Sequence, residues 1–175
     1  VTKLEVTDDF LSPEDFEILN GPTKPGEEFP WRYHLNNFHE QGFDTHLQNM
    51  QHTHVFYWQG GWVSDFSSVL DPVIRKLNAF VLIRVKANLL LYSGPKPFFG
   101  GFHIDTDRED ICRTGILYLD TCNGPTEFEG GEKVDAVANR FVQFPASTRH
   151  GSWGATDVPY RRVINFNWIP MKKGT

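Results

Sequence analysis

The segment Phe80-Val81-Leu82-Ile83-Arg84-Val85-Lys86-Ala87-Asn88-Leu89-Leu90-Leu91-Tyr92 decides the fold class. It is dense in strand formers, and shorter runs of the same texture follow it. Strands are expected at Arg113 to Leu119, Glu127 to Phe128, Arg140 to Pro145, His150 to Gly154 and Arg161 to Trp168. Ser93-Gly94-Pro95, Asn123-Gly124-Pro125, Gly130-Gly131 and Asn139 read as the turns between them. Many short strands punctuated by Gly and Pro indicate a β-sandwich or a jelly roll.

Upstream of this half the texture is mixed. Val1 to Val6 alternates weakly, as a strand would. Ser12-Pro13-Glu14-Asp15 reads as a helix start, with Ser12 as N-cap, and the helix should end near Asn20-Gly21. Gly21 to Pro30 reads as a loop, Trp31 to Asn37 as extended chain and Thr53 to Trp58 as a strand. Ser67 to Asn78 carries apolar residues at helical spacing, although Pro72 fits only within a first turn. The expected fold is mainly β (α+β): a jelly-roll core over residues 80–170, supported by 1–79, whose helices pack on one sheet. The whole of 1–175 is read as one domain.

Composition narrows the function classes. The net charge of -5 argues against a nucleic-acid partner. No apolar run approaches the roughly 20 residues that a membrane-spanning helix needs. The first ten residues lack a signal-peptide pattern, and Cys112 and Cys122 make no disulfide framework. Free thiols in a reducing, cytoplasmic setting are the expectation.

Seven histidines are present, and most read as surface or hydrogen-bonded residues; His39 and His46 carry no motif. His52-Thr53-His54 reads as a hydrogen-bonded pair on a strand because no third metal ligand accompanies it. His103-Ile104-Asp105 is different. Two metal-ligating side chains two positions apart share one face of a strand, and Gly100-Gly101 before them leaves room for a ligand. His150 lies 45 residues after Asp105, where a jelly roll can bring its strand alongside. Two histidines and a carboxylate on one face of a metal form the facial triad of non-haem Fe(II) oxygenases. Arg161 and Arg162 follow His150 by 11 and 12 residues, and a guanidinium there suits a dicarboxylate co-substrate.

At these residues the chain resembles the Fe(II)- and 2-oxoglutarate-dependent dioxygenases, in the prolyl-4-hydroxylase-like branch of bacteria and their phages. The resemblance also rests on Phe10-Leu11-Ser12-Pro13-Glu14, Arg84 to Leu89, Tyr118-Leu119-Asp120, Asn139 to Phe144 and Arg161 to Trp168. It implies that His103, Asp105 and His150 ligate Fe(II). It implies that Arg161 binds the distal carboxylate of 2-oxoglutarate, with Tyr118 on the same group and Asn88 lining the pocket. It also implies O2 as a substrate and ascorbate as an optional reductant. Branch analogy puts a prolyl residue of a peptide or protein first as the molecule hydroxylated, with small molecules such as free amino acids behind it.

Arg161 and Arg162 compete for the clamp, because side chains alternate along a strand. Arg161 inward places Val163, Asn165 and Asn167 on the cavity face and packs Ile164 and Phe166 outward. Arg162 inward would bury two asparagines against apolar layers. Arg161 is preferred on that ground. A tryptophan six positions after the basic residue, as the family often has, favours Arg162 through Trp168. Two segments depart from the family pattern: Tyr92 to Phe99 ends in Phe98-Phe99, with Phe where Tyr is common, and Gly130-Gly131-Glu132 follows the Asn123 to Phe128 run instead of preceding it. A catalytically silent binding module and a cupin-like metalloenzyme without a 2-oxo acid are the alternative readings. The charged run Asp107 to Asp110 reads as an exposed loop beside the metal motif.

Overall fold

The computed structural model describes residues 4–34, 51–92, 94–106 and 111–171. His39, His46, the end of the expected strand at 35–37, Ser93 and the run Asp107 to Asp110 lie outside them. In chain order the elements are β1 (Glu5–Thr7), α1 (Pro13–Asn20), β2 (Arg32–His34), β3 (Gln51–Trp58), β4 (Gly61–Trp62), a 3-10 turn (Ser67–Leu70) and α2 (Asp71–Leu77). They continue with β5 (Ala79–Leu91), β6 (Arg113–Tyr118), β7 (Cys122–Phe128), β8 (Lys133–Ala136), β9 (Phe141–Pro145), β10 (His150–Ser152) and β11 (Tyr160–Pro170).

The strands form two antiparallel sheets. The large one runs β1-β9-β6-β11-β5-β3-β2, with β4 hairpinned onto β3; the small one runs β10-β7-β8. Bridges from Phe99 to Trp153 and from His103 to His150 lay the segment before β6 along the free edge of β10. This is the jelly roll, or double-stranded β-helix, that the sequence indicates.

Period-two alternation sorts the side chains of the large sheet onto two faces. On the outer face Phe56, Val85, Ala87, Leu117, Ile164, Phe166 and Trp168 pack with Leu19 of α1 and Val73 and Leu77 of α2. Both helices therefore cover one sheet, as expected. Between the sheets, Ile116, Tyr118, Phe128, Val134, Phe144 and Val163 form a second apolar cluster. The remainder of that inner space is a polar cavity.

Local chemistry explains the helix bounds. Ser12 Oγ accepts from the Asp15 amide at 3.1 Å, and Pro13 opens α1. Pro72 sits at the start of α2, so the expected helix from Ser67 divides into a 3-10 turn and a short α-helix. Asn78, left-handed at φ 49°, ends it. Asn139 also has positive φ, and its amide exchanges two hydrogen bonds with the Leu11 backbone, pinning the N-terminal arm to the core.

Two expectations are corrected. Asn123-Gly124-Pro125 is not a turn but part of β7; a register shift between Cys122 and Thr126 accommodates a residue with no N–H. Strand β8 was not expected at all. Its four residues bury only Val134 and Ala136, too short a pattern to stand out. No helix among the described residues is long and apolar enough to cross a membrane.

Candidate active site

The cavity between the sheets measures about 520 Å³. Its floor is the inner face of the large sheet, where strand register sets a grid. Arg84 pairs with Asn167, Lys86 with Asn165, Asn88 with Val163 and Leu90 with Arg161. Across the next strand Asn167 pairs with Thr114 and Asn165 with Ile116. The opposite wall carries His103, Asp105 and His150.

His103 and His150 exchange backbone hydrogen bonds of 2.9 and 3.0 Å. Paired in this way, their side chains leave the strands on the same side, and the ring centroids are 4.6 Å apart. Asp105, two positions on, joins them, and one ligand atom from each residue lies within 4.8 Å of the others. Close backbone approach is needed here. A Cβ on Gly151 would sit 2.3 Å from the Gly101 carbonyl oxygen, so a side chain there would push the two strands apart.

The three side chains are prepared for a cation. His150 Nδ1 lies 2.9 Å from the Thr148 carbonyl, so that nitrogen donates a proton and Nε2 is the ring atom turned to the triad. His150 Nε2 is buried with no hydrogen-bond partner, which a metal at the triad would satisfy. His103 opens to the cavity mouth, yet protein atoms surround most of its ring. That desolvation, and the neighbouring His150, push its pKa down to about 4. Asp105 receives Arg84 at 2.8 Å on one oxygen, and Thr114 at 2.8 Å and Asn167 at 3.0 Å on the other. Burial would raise its pKa. His150, Arg84 and these donors outweigh it and hold the carboxyl at about 2. At neutral pH His103 is a neutral imidazole and Asp105 a carboxylate; with His150 Nε2 they make a donor set that suits a divalent transition metal.

At the other end of the cavity lies Arg161, 1% exposed. Its Nε donates to the Gly124 carbonyl at 2.8 Å, and a terminal nitrogen reaches Thr126 Oγ1 at 3.3 Å. Its guanidinium lies 5.5 Å from the centre of the Tyr118 ring. Tyr118 donates to Thr126 Oγ1 at 2.7 Å, placing its hydroxyl directly behind the threonine on the wall. Gly124 makes the room: a Cβ there would meet Arg161 Cδ at 3.2 Å and the Trp153 carbonyl at 2.7 Å. Asn88 lines the floor, and its Oδ1 accepts from Gln51 at 2.8 Å.

Arg162 points to the opposite face. It pairs with Asp120 at 2.7 Å and donates to Asn20 and Thr23 at the end of α1. Val163 and Asn165 share the cavity with Arg161, and Asn167 lies on the same face, against Asp105. His54 bonds the Pro30 carbonyl and Ser64, consistent with a structural role. Sequence reading missed the residues that hold Asp105. Arg84, Thr114 and Asn167 come from three strands, and only period-two polarity within apolar strands marks them.

No family model matches the sequence, and no curated protein matches it. Solved structures do. A prolyl-4-hydroxylase from Pseudomonas putida is similar at a TM-score of 0.59 and 12% identity, over 98% of this chain and 94% of that one. The chain has the fold of the 2-oxoglutarate oxygenases. A prolyl hydroxylase from Trichoplax adhaerens, solved with a hypoxia inducible factor peptide fragment, is similar at a TM-score of 0.63 and 16% identity, over 97% and 84% of the two chains. The non-heme alpha ketoglutarate dependent epimerase SnoN from nogalamycin biosynthesis is similar at 0.64 and 13%, over 97% and 78%. This oxygenase fold therefore serves more than one type of reaction.

Proposed function

We propose that the protein is an Fe(II)- and 2-oxoglutarate-dependent dioxygenase. The observation that carries this reading is the buried, unpartnered His150 Nε2 within a His103–Asp105–His150 set, at one end of a cavity whose other end holds Arg161. His103, Asp105 and His150 would hold the iron, and Arg161 with Thr126 would hold the distal carboxylate of 2-oxoglutarate; Tyr118, expected on that carboxylate, donates to Thr126 instead and would orient it. When bound, iron and 2-oxoglutarate would supply the oxidising chemistry, in which O2, 2-oxoglutarate and a substrate C–H yield succinate, CO2 and a hydroxylated product.

The chain's own residues do the rest. The Thr148 carbonyl fixes the His150 tautomer, and Arg84, Thr114 and Asn167 orient Asp105 and keep it ionised. Arg161 keeps its guanidinium plane by bonding Gly124 and stacking near Tyr118, which leaves its remaining donors for a carboxylate. Asn88, braced by Gln51, lines the space between the two ends. The substrate put first is a prolyl residue, in keeping with two of the similar structures. A cytoplasmic setting is part of the same proposal.

The test is an anaerobic titration of the apo-protein with Fe(II) and then 2-oxoglutarate, followed by the visible metal-to-ligand charge-transfer band, with His103→Ala as control. A saturable band that the control loses supports the reading. Bound Fe(II) with no band on adding 2-oxoglutarate would remove the 2-oxo acid from it and leave a cupin-like metalloenzyme or a silent module.

A further inference from the structure

The cations of the cavity are engaged, with one exception among the described residues. Arg84 is held by Asp105 and Asn167, Arg161 by Gly124 and Thr126, and Arg149 at the rim by Glu129. Lys86 lines the same cavity, half-buried, and neither a hydrogen bond nor an ion pair reaches its ammonium group. A desolvated charge without a partner is costly, so such a group is expected to meet its partner in the working complex. Burial pushes its pKa down to about 8, against an ordinary 10.5, which leaves it mostly charged at neutral pH.

Its position says which partner. Lys86 is two residues along β5 from Arg84, which holds Asp105, and it pairs with Asn165. Asn165 Oδ1 is itself buried without a hydrogen-bond partner. Arg161 pairs with Leu90, four positions from Lys86, or about 13 Å along the strand at the usual rise. Lys86 thus belongs to the metal end of the cavity and Arg161 to the far end. In the proposed reading, 2-oxoglutarate spends one carboxylate on Arg161 and the other on the metal. Neither is left for Lys86.

We propose that Lys86 anchors a carboxylate of the primary substrate at the metal end of the cavity. This narrows the substrate of the proposed oxygenase to a free amino acid or a C-terminal residue, since an internal prolyl residue has no free carboxylate. The inference rests on the Fe(II)/2-oxoglutarate reading, and Asn165 supplies an acceptor beside Lys86 for a donor on the same molecule.

The experiment uses the anaerobic Fe(II)·2-oxoglutarate complex and follows the charge-transfer band as probes are added. The probes are N-acetyl-L-proline and cyclopentanecarboxylate, each beside its neutral primary amide. In the unaltered protein the carboxylates should perturb the band at concentrations at least about tenfold below those of the amides, as a charge-assisted hydrogen bond requires. Lys86→Met should remove that preference while binding 2-oxoglutarate within about twofold of the unaltered protein. Lys86→Arg should restore part of it. Carboxylates that bind no better than amides would overturn the inference. So would a Lys86→Met protein that loses affinity for 2-oxoglutarate itself, which would give Lys86 to the co-substrate. Absence of the band in every protein would sink the parent reading and this one with it. Melting temperatures at or above that of the unaltered protein in both variants show that loss of preference is not loss of fold.

Discussion

Arg161 and Arg162 are chain neighbours, both 1% exposed, and they face opposite sides of the large sheet. One reaches Gly124 and Thr126 in the cavity; the other is locked to Asp120 and the end of α1. Their replacement should therefore separate binding from stability. Arg161→Met should weaken 2-oxoglutarate binding roughly 10- to 100-fold with Fe(II) affinity unchanged. Arg162→Met leaves Asp120 without its cation and should cost about 3–5 kcal/mol of stability, with 2-oxoglutarate affinity of the folded protein retained. Denaturant unfolding and the charge-transfer titration read the two effects, and the opposite pattern would reverse the assignment.

Asn167 and Thr114 both donate to one oxygen of Asp105. Asn167→Ala and Thr114→Val should each lower Fe(II) affinity about 10- to 100-fold by freeing the carboxylate to rotate. Competition with a fluorescent metal chelator measures this. Unchanged affinity in both would mean that Arg84 alone fixes Asp105.

A Cβ on Gly124 would meet backbone atoms of Trp153 and Ala155 at 2.7 and 3.0 Å and Arg161 Cδ at 3.2 Å. Gly124→Ala should destabilise the fold by about 1–3 kcal/mol, as overpacking does, and raise the 2-oxoglutarate dissociation constant by moving Arg161. A melting temperature and affinity both equal to those of the unaltered protein would show that β7 yields more easily than its neighbours imply.

Lys86 also gives a pH signature in the absence of ligand. Below about pH 8 the folded protein holds this charge half-buried, whereas the unfolded chain holds it in water, so the group opposes folding. Between about 8 and 10.5 the folded form has lost the proton and the unfolded form retains it, so the group's penalty fades as pH rises. Lys86→Met should accordingly melt above the unaltered protein at neutral pH, with the gap closing toward pH 10.5. Melting curves across that range, taken as the difference between the two proteins, test it. A gap that widens with pH would contradict the burial of the charge.

Much of this was legible in the chain. Alternation in 161–168 put Val163, Asn165 and Asn167 on the cavity side and Ile164 and Phe166 under the helices, because period-two geometry is local and strict. The same alternation favoured Arg161 over Arg162 against the spacing to Trp168, and the structure puts Arg161 alone of the two in the cavity. Trp168 lies six positions from Arg162, so alternation puts both on the outer face, and the spacing to the tryptophan does not mark the residue that enters the cavity.

What the sequence determined by itself was the strand-rich fold, the helices on one sheet and the His103–Asp105 pair, since each follows from residue type at short spacing; His150, 45 residues on, joined that pair only through the expected jelly roll and the family resemblance. Tertiary structure decided the rest. The donors on Asp105 come from β5, β6 and β11, and Arg161 meets Gly124 and Thr126 across 37 and 35 residues. Such contacts depend on which strands pair and in what register, and on a bulge that hides β7 behind a turn-like Asn-Gly-Pro. The solitary position of Lys86 is of the same kind: its lack of a partner is a property of the assembled cavity, and no local pattern along β5 encodes it.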